Sequence, residues 1–100
     1  MKKELIIIGL LITTYILTQI PAPLKKINET TIGDYVRIKG IIGDYANPPR
    51  LTIFNLTDET GSIKTVFFTQ IKTWNRAEVE ITGRITEYKG ELELKGVKIN

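Results

Sequence analysis

Hydrophobic residues are distributed in two different ways along this chain. An unbroken apolar run, LIIIGLLITTYILTQI, occupies residues 5–20 and contains no charged side chain. From Tyr35 onward, apolar residues alternate with polar ones, as at Val36, Ile38 and Ile42. A period of two indicates strands that are buried on one face. The pattern therefore predicts one hydrophobic helix at the N-terminus, followed by an all-β domain.

Breaks in the alternation divide the second part of the chain into five strands. The predicted strands cover residues 35–45, 51–57, 62–68, 77–88 and 91–99. Pro48 and Pro49 end the first strand, because proline cannot donate to a strand ladder. The sequence DETG at 58–61 has the composition of a β-turn, and Lys89-Gly90 that of a two-residue hairpin loop. Residues 69–76 are too weakly patterned for more than one helical turn.

The first and fourth strands share a template. The segment VRIKGIIGDY at 36–45 recurs as VEITGRITEY at 79–88. Both place a glycine, Gly40 or Gly83, in mid-strand, where glycine usually marks a bulge or a tight bend. A small sheet can hide its edges by curling into a barrel, which requires strongly bent strands. The template therefore predicts two long strands that form the corners of a five-stranded barrel.

The direction of side chains is ambiguous at two places. In the fifth strand, the odd step from Leu94 to Val97 breaks the alternation and predicts a bulge at Gly96. In the third strand, Phe67 and Phe68 are adjacent. One of the two must face the core and the other solvent, because successive side chains of a strand point to opposite faces.

The strands and turns resemble those of the OB-fold, a five-stranded Greek-key barrel, and in particular its tRNA-anticodon-binding and single-stranded-DNA-binding types. The matching segments are VRIKGII, LTIFNLTDETGSIKTVFF and VEITGRITEYKGELELKGVKI, and the resemblance covers about residues 33–100. Such domains often place a helix between strands 3 and 4, where only residues 69–76 are available here. We therefore expect a smaller cover at that end of the barrel, formed by Trp74.

The resemblance implies a binding face on strands 2 and 3, flanked by the loops that join strands 1–2 and 4–5. Single-stranded nucleic acid is held by aromatic rings that stack on bases and by cations that follow the phosphates. The candidate residues are Tyr45, Asn47, Arg50, Lys64, Phe68, Tyr88 and Lys89. Each type has a structural alternative. The tyrosines can cover the barrel ends, and Arg50 and Lys64 can be ordinary solvated charges.

The net charge of the chain favours nucleic-acid binding, whereas the distribution of the charges argues against it. The formal net charge is +3, but four of the lysines flank the apolar run: Lys2, Lys3, Lys25 and Lys26. From Asp34 onward, acidic and basic residues nearly cancel. Acidic residues near the implied face would repel phosphates. They are Asp44, Asp58, Glu59 and Glu87.

Residue types that commonly perform catalysis are scarce. The chain has no His and no Cys, and its single serine, Ser62, follows a turn glycine without an evident base. An open cation site at Asp44, Asp58 and Glu59 is the one metal alternative, and these residues lack the usual ligand spacing. We therefore expect no enzymatic activity, no cofactor and no metal.

The apolar run predicts association with a membrane. Residues 5–24 just reach the length of about 20 residues that a helix needs to cross a bilayer. We predict a transmembrane anchor or signal segment at 1–24, a linker at 25–33 and the barrel at 34–100. A cleaved signal peptide and a buried amphipathic helix are the alternatives to an uncleaved anchor. The very short N-terminal tail favours a domain outside the cytoplasm.

The sequence patterns and the resemblance together predict a membrane-tethered, non-enzymatic OB-fold module that contacts single-stranded DNA or RNA. The alternative is an exported scaffold or interaction module that binds a protein or another envelope component, which the near-neutral domain favours. A carrier of the haem-chaperone type is a third alternative, against which the absence of His argues. Heavy use of Ile, Lys and Glu, with little Cys, Met and Gln, is typical of archaeal and other thermophile proteins.

Overall fold

The alternating segments form strands close to the predicted bounds. The computed structural model describes residues 22–100. Its strands are β1 (Tyr35–Ala46), β2 (Thr52–Asp58), β3 (Gly61–Phe67), β4 (Glu78–Tyr88) and β5 (Glu91–Ile99). They close into a barrel in the order β1-β2-β3-β5-β4, in which β3 and β5 are parallel and the other neighbours antiparallel. The predicted all-β, five-stranded barrel is thereby confirmed.

The predicted N-terminal segment lies outside the described residues up to residue 21. Its last three predicted residues, 22–24, are described and are not helical: Leu24 forms an isolated bridge with Arg37 of β1. Within residues 22–100, the helical structure is a single 3-10 turn at Ile27–Glu29. No helix in this part of the chain is long and apolar enough to cross a membrane.

Gly40 and Gly83 lie at the corners of the barrel, as the template predicts. β1 pairs with β4 along its first half and with β2 along its second, and the change of partner falls at Ile41. β4 passes in the same way from β1 to β5 around Gly83. A Cβ atom on Gly40 would lie 2.7 Å from the carbonyl oxygen of Thr57, and one on Gly83 would overlap that of Lys95. Both corners therefore need glycine because the neighbouring backbone comes too close for a side chain.

The core settles the two ambiguous side-chain directions. Phe67 is buried and packs against Phe54, with 6.2 Å between the ring centroids, whereas Phe68 is 65% exposed. The register of β4 against β5 shifts after Thr82, so that Gly83 pairs with Gly96. This is the predicted bulge. A Cβ on Gly96 would overlap the ring of Phe67, so the bulge glycine makes room for a core side chain.

Residues 22–30 lie against the barrel. The carbonyl of Ala22 accepts a hydrogen bond from Arg37 Nε (2.6 Å), and that of Pro23 accepts one from the Arg37 backbone N–H (2.9 Å). Ile27 is buried in the core, and its N–H donates to Asp58 Oδ2 (2.8 Å). The stretch that includes most of the predicted linker is thus attached to the domain at two points.

Asp58 has a pKa below its ordinary value, and the reason is structural. Burial alone would raise the pKa of this carboxyl, but hydrogen bonds from the Thr60 hydroxyl and from the N–H groups of Ile27, Thr60 and Gly61 outweigh it. A lowered folded-state pKa stabilises the fold at neutral pH. That contribution is lost as the pH falls below the ordinary value of 3.8 and through the folded-state value.

We expect Asp58→Ala to release the N-terminal segment and to destabilise the domain by about 1–2 kcal/mol, since charged hydrogen bonds are lost. Amide hydrogen exchange at Ile27 and Asn28, whose N–H groups bond to Asp58 and Thr60, measures the release. Glu59→Ala is the matched control, because its bridge to Lys26 is a surface pair of little consequence. Equal exchange in the two variants would contradict this role of Asp58.

Candidate functional site

The outer face of β2 and β3 lies between loop 1–2 (residues 47–51) and loop 4–5 (Lys89-Gly90), and its exposed side chains are concentrated at its two ends. Strand alternation buries Ile63, Thr65 and Phe67 and turns Lys64 outward. Phe68, directly after β3, is exposed too, whereas Val66 between these two residues is buried. Lys64 and Phe68 are four positions apart on one face, so about 13 Å of strand separates them. We call this surface the strip, and its two ends are built differently.

The end of the strip at loop 4–5 is an aromatic ring with two cations. Tyr88 is 56% exposed, and the ammonium nitrogens of Lys64 and Lys89 lie 5.9 Å and 5.4 Å from its ring centroid. Lys89 and Gly90 both have positive φ (52° and 83°), as a type I′ turn requires. The tight turn fixes Tyr88 beside β3. A shallow cleft of about 400 Å³ adjoins this end and is lined in part by Asn55, Lys64 and Leu92.

The end of the strip at loop 1–2 is an open cleft of about 530 Å³ that contains Arg50 and Phe68. Pro49, Thr69 and Gln70 complete its lining. The ammonium group of Lys95 lies 4.9 Å from the centroid of Phe68. Each end of the strip thus presents one exposed aromatic ring and at least two cations.

Tyr45 and Asn47, the two remaining candidates, have hydrogen-bonding partners within the domain. The Tyr45 hydroxyl donates to the carbonyl of Ile71 (2.8 Å), and its half-buried ring packs against the core. Tyr45 and Ile71 therefore cover the barrel end. Asn47 is exposed, and its Oδ1 lies 3.3 Å from the hydroxyl of Thr52.

The expectation that Trp74 covers the barrel end is wrong. Its side chain is 67% exposed. The loop that carries it is tied to β1 by hydrogen bonds from Arg76 N–H to the Ile42 carbonyl (2.7 Å) and from Ile42 N–H to the Ala77 carbonyl (2.9 Å). With Tyr45 and Ile71 already over the opening, the indole is left in solvent.

Acidic residues are not spread evenly around the strip. Asp58 and Glu59 are engaged by the N-terminal segment. Asp44 accepts a hydrogen bond from Asn55 Nδ2 (3.0 Å), and Glu93 lies opposite Lys64 in the register of β5 against β3. The surface is therefore mixed in charge around Lys64 and more basic near Phe68. No group of three or more His, Cys, Asp or Glu residues that could hold a metal occurs within residues 22–100.

Sequence reasoning did not place Lys95 at the strip. Lys95 reaches Phe68 because β5 runs parallel to β3, with Val66 opposite Lys95. These residues are about 30 positions apart in the chain, and no local pattern reports such a pairing. The strand order of the OB-fold, in which strand 5 lies beside strand 3, could have predicted this neighbour.

Comparison with known proteins identifies the fold. No protein-family model matches the chain, and no curated protein matches it. The second OB-fold domain of replication protein A from Methanococcus maripaludis is similar in structure, with a TM-score of 0.68 and 18% identity over 78% of this chain and 93% of that one. A putative aspartyl-tRNA synthetase from Leishmania major Friedlin gives 0.67 and 12% identity, over 79% of this chain and 20% of the synthetase.

A third similar structure is an OBody bound to hen egg-white lysozyme, with a TM-score of 0.64 and 16% identity over 81% of this chain and 94% of that one. The strand order and these similarities agree. The described part of the chain is an OB-fold domain.

Proposed function

We propose that this protein is a non-enzymatic OB-fold module that binds single-stranded DNA or RNA along the strip. The observation that carries the proposal is the pair of exposed rings, Phe68 and Tyr88, at the two ends of one face, each accompanied by lysines. Bases stack on exposed aromatic rings, and flexible ammonium groups follow the phosphates. Lys64 lies at the Tyr88 end.

The location of the strip supports this reading. In OB-folds, the strand 2–3 face and the loops 1–2 and 4–5 are where oligonucleotides bind. The ion pairs within residues 22–100 join Lys25 to Asp34, Lys26 to Glu59 and Arg37 to Glu80. None of them involves a cation of the strip, so in this part of the chain those cations keep their charge available for an anionic ligand.

Fluorescence anisotropy with the full-length chain tests the proposal. A labelled oligothymidylate of about 16 nucleotides, the upper site size of one OB-fold, is titrated in about 50 mM and about 200 mM salt, and an oligouridylate is titrated in parallel. We expect binding that weakens steeply with salt, with a slope of about −0.7 in log K against log salt for each phosphate contact. No binding of either oligonucleotide at the lower salt concentration would overturn the proposal.

The proposal includes a membrane tether through the apolar run at residues 5–20 and a domain outside the cytoplasm. Its support is the uncharged run at 5–20. Since Ala22 and Pro23 are hydrogen-bonded to Arg37, such a tether would hold the barrel close to the membrane surface. Sedimentation of the protein with membranes after alkaline washing tests the tether, and digestion by added protease in intact cells tests the orientation.

A protein partner is the second candidate, and the mixed charge around Lys64 favours it. Glu93 and Asp44 lie close to this part of the strip and weaken its attraction for phosphates. The OBody structure shows an OB-fold of similar architecture with a protein bound. An exported scaffold of this kind would show no oligonucleotide binding at low salt, so the same titration separates the two candidates.

A further inference from the structure

A row of cross-strand pairs leads away from the strip around the barrel. Val66 on β3 lies opposite Lys95 on β5, and Lys95 lies opposite Arg84 on β4. Arg84 in turn lies opposite Tyr35 on β1. We call Phe68, Lys95, Arg84 and Tyr35 the cationic row, since two cations stand between two aromatic rings.

The two cations of the row face each other without an acidic partner. Like charges placed directly opposite on neighbouring strands destabilise a sheet. None of the ion pairs within residues 22–100 includes Lys95 or Arg84. Glu93, which shares the outer face of β5, is paired in register with Lys64 and Thr86 rather than with Arg84. An anion bound between the two cations would relieve their repulsion.

Each cation of the row instead lies over an exposed ring. Lys95 Nζ is 4.9 Å from the centroid of Phe68, and Arg84 Cζ is 5.6 Å from the centroid of Tyr35. Phe68 and Tyr35 are 65% and 44% exposed. The row thus repeats the combination of exposed aromatic ring and cation that marks the strip, and Phe68 belongs to both.

We propose that the cationic row continues the path of a bound single strand beyond Phe68, across β5 and β4 to Tyr35. This inference rests on the proposed function and adds a second segment to its site. Phosphates would lie between Lys95 and Arg84, and bases would stack on Phe68 and Tyr35. Three inter-strand spacings of about 4.8 Å separate β3 from β1. At about 3.4 Å or more per nucleotide, this distance accommodates two to four nucleotides, roughly.

Part of Arg84 has a structural function as well, because its Nη1 donates to the carbonyl of Gly33 (2.9 Å). That bond holds the turn before β1 and leaves the rest of the guanidinium exposed. Within residues 22–100, the Lys95 ammonium group makes no ion pair, and it lies over the ring of Phe68. Lys95 is therefore the cleaner position for a test.

The experiment compares Arg84→Gln/Lys95→Gln with the control Lys39→Gln/Lys98→Gln, which removes the same charge from exposed positions outside the row. Full-length proteins are titrated with oligothymidylates of about 4 and about 16 nucleotides, the range of site sizes for one OB-fold. We expect the row variant to bind the longer oligonucleotide about tenfold or more weakly, with little change for the shorter one. Its salt slope should fall by about 0.7 for each lost phosphate contact.

Single Lys95→Gln keeps the test valid if the double variant unfolds. We expect its salt slope to fall by about half as much as that of the double variant. Equal affinities and equal slopes in the row variant and the control would overturn the inference. In that case, continued binding of the longer oligonucleotide by the unaltered protein would leave the strip as its site. Failure of the unaltered protein to bind either length would overturn the proposed function instead.

Discussion

Replacing Gly83 by alanine is expected to destabilise the barrel by about 3 kcal/mol, the upper end of the range for overpacking. The added Cβ would overlap the carbonyl oxygen of Lys95 and lie 2.9 Å from its carbonyl carbon. These are backbone atoms of β5, which is held by β4 on one side and β3 on the other, so they cannot move without breaking strand pairing. Urea denaturation followed by circular dichroism measures the change in the free energy of unfolding.

Gly43→Ala is the matched control for Gly83→Ala. Gly43 also lies within a long strand, but the nearest atom to its added Cβ is the carbonyl oxygen of Asn55 at 4.0 Å, an ordinary contact. We expect a change within about 0.5 kcal/mol or a slight stabilisation, since alanine restricts the unfolded chain. If the two variants were equally destabilised, close backbone approach would not be the reason for glycine at the corner.

Removing both rings of the strip, in Phe68→Ala/Tyr88→Ala, is expected to produce the largest loss of nucleic-acid affinity. Each stacked base contributes about 1–3 kcal/mol, so the double variant should bind a labelled oligonucleotide at least about 30-fold more weakly. Both side chains are more than half exposed, and neither belongs to the hydrophobic core. Thermal unfolding should therefore change little.

Trp74→Ala serves as the control for the ring variants. Trp74 is as exposed as Phe68 but lines neither of the two clefts at the ends of the strip. We expect its removal to leave the affinity unchanged. Similar losses from the tryptophan and from the ring pair would point to nonspecific aromatic contact, and no loss from the ring pair would exclude stacking on the strip.

The architecture could be read from the sequence because its signals are local. Alternation fixed the inward face at Val36, Ile38 and Ile42, and turn composition located the two tight turns. The mid-strand glycines Gly40 and Gly83 predict the corners without information on strand pairing. From the sequence, the expected reason for glycine at these sites is a bend. The structure adds a second reason, since the backbone of the neighbouring strand leaves no room for a Cβ at either site.

The remaining features depend on contacts between distant parts of the chain. Attachment of Ile27 to Asp58 joins residues 31 positions apart through a side-chain hydrogen bond that neither segment signals alone. The exposure of Trp74 follows from how the loop after β3 is tied to β1. The neighbourhood of Phe68 depends likewise on the parallel approach of β5 to β3.

The parallel pairing of β3 with β5 extends only from Lys64 and Glu93 to Val66 and Lys95, whereas β4 and β5 pair over nearly their whole length. This is the shortest strand pairing of the barrel. Local opening of the native state should begin here, because the fewest hydrogen bonds must break. A polymer laid across Phe68 and Lys95 would bridge this pairing from outside. Binding of the polymer would then stabilise the pairing of β3 with β5, and loss of that pairing would weaken binding.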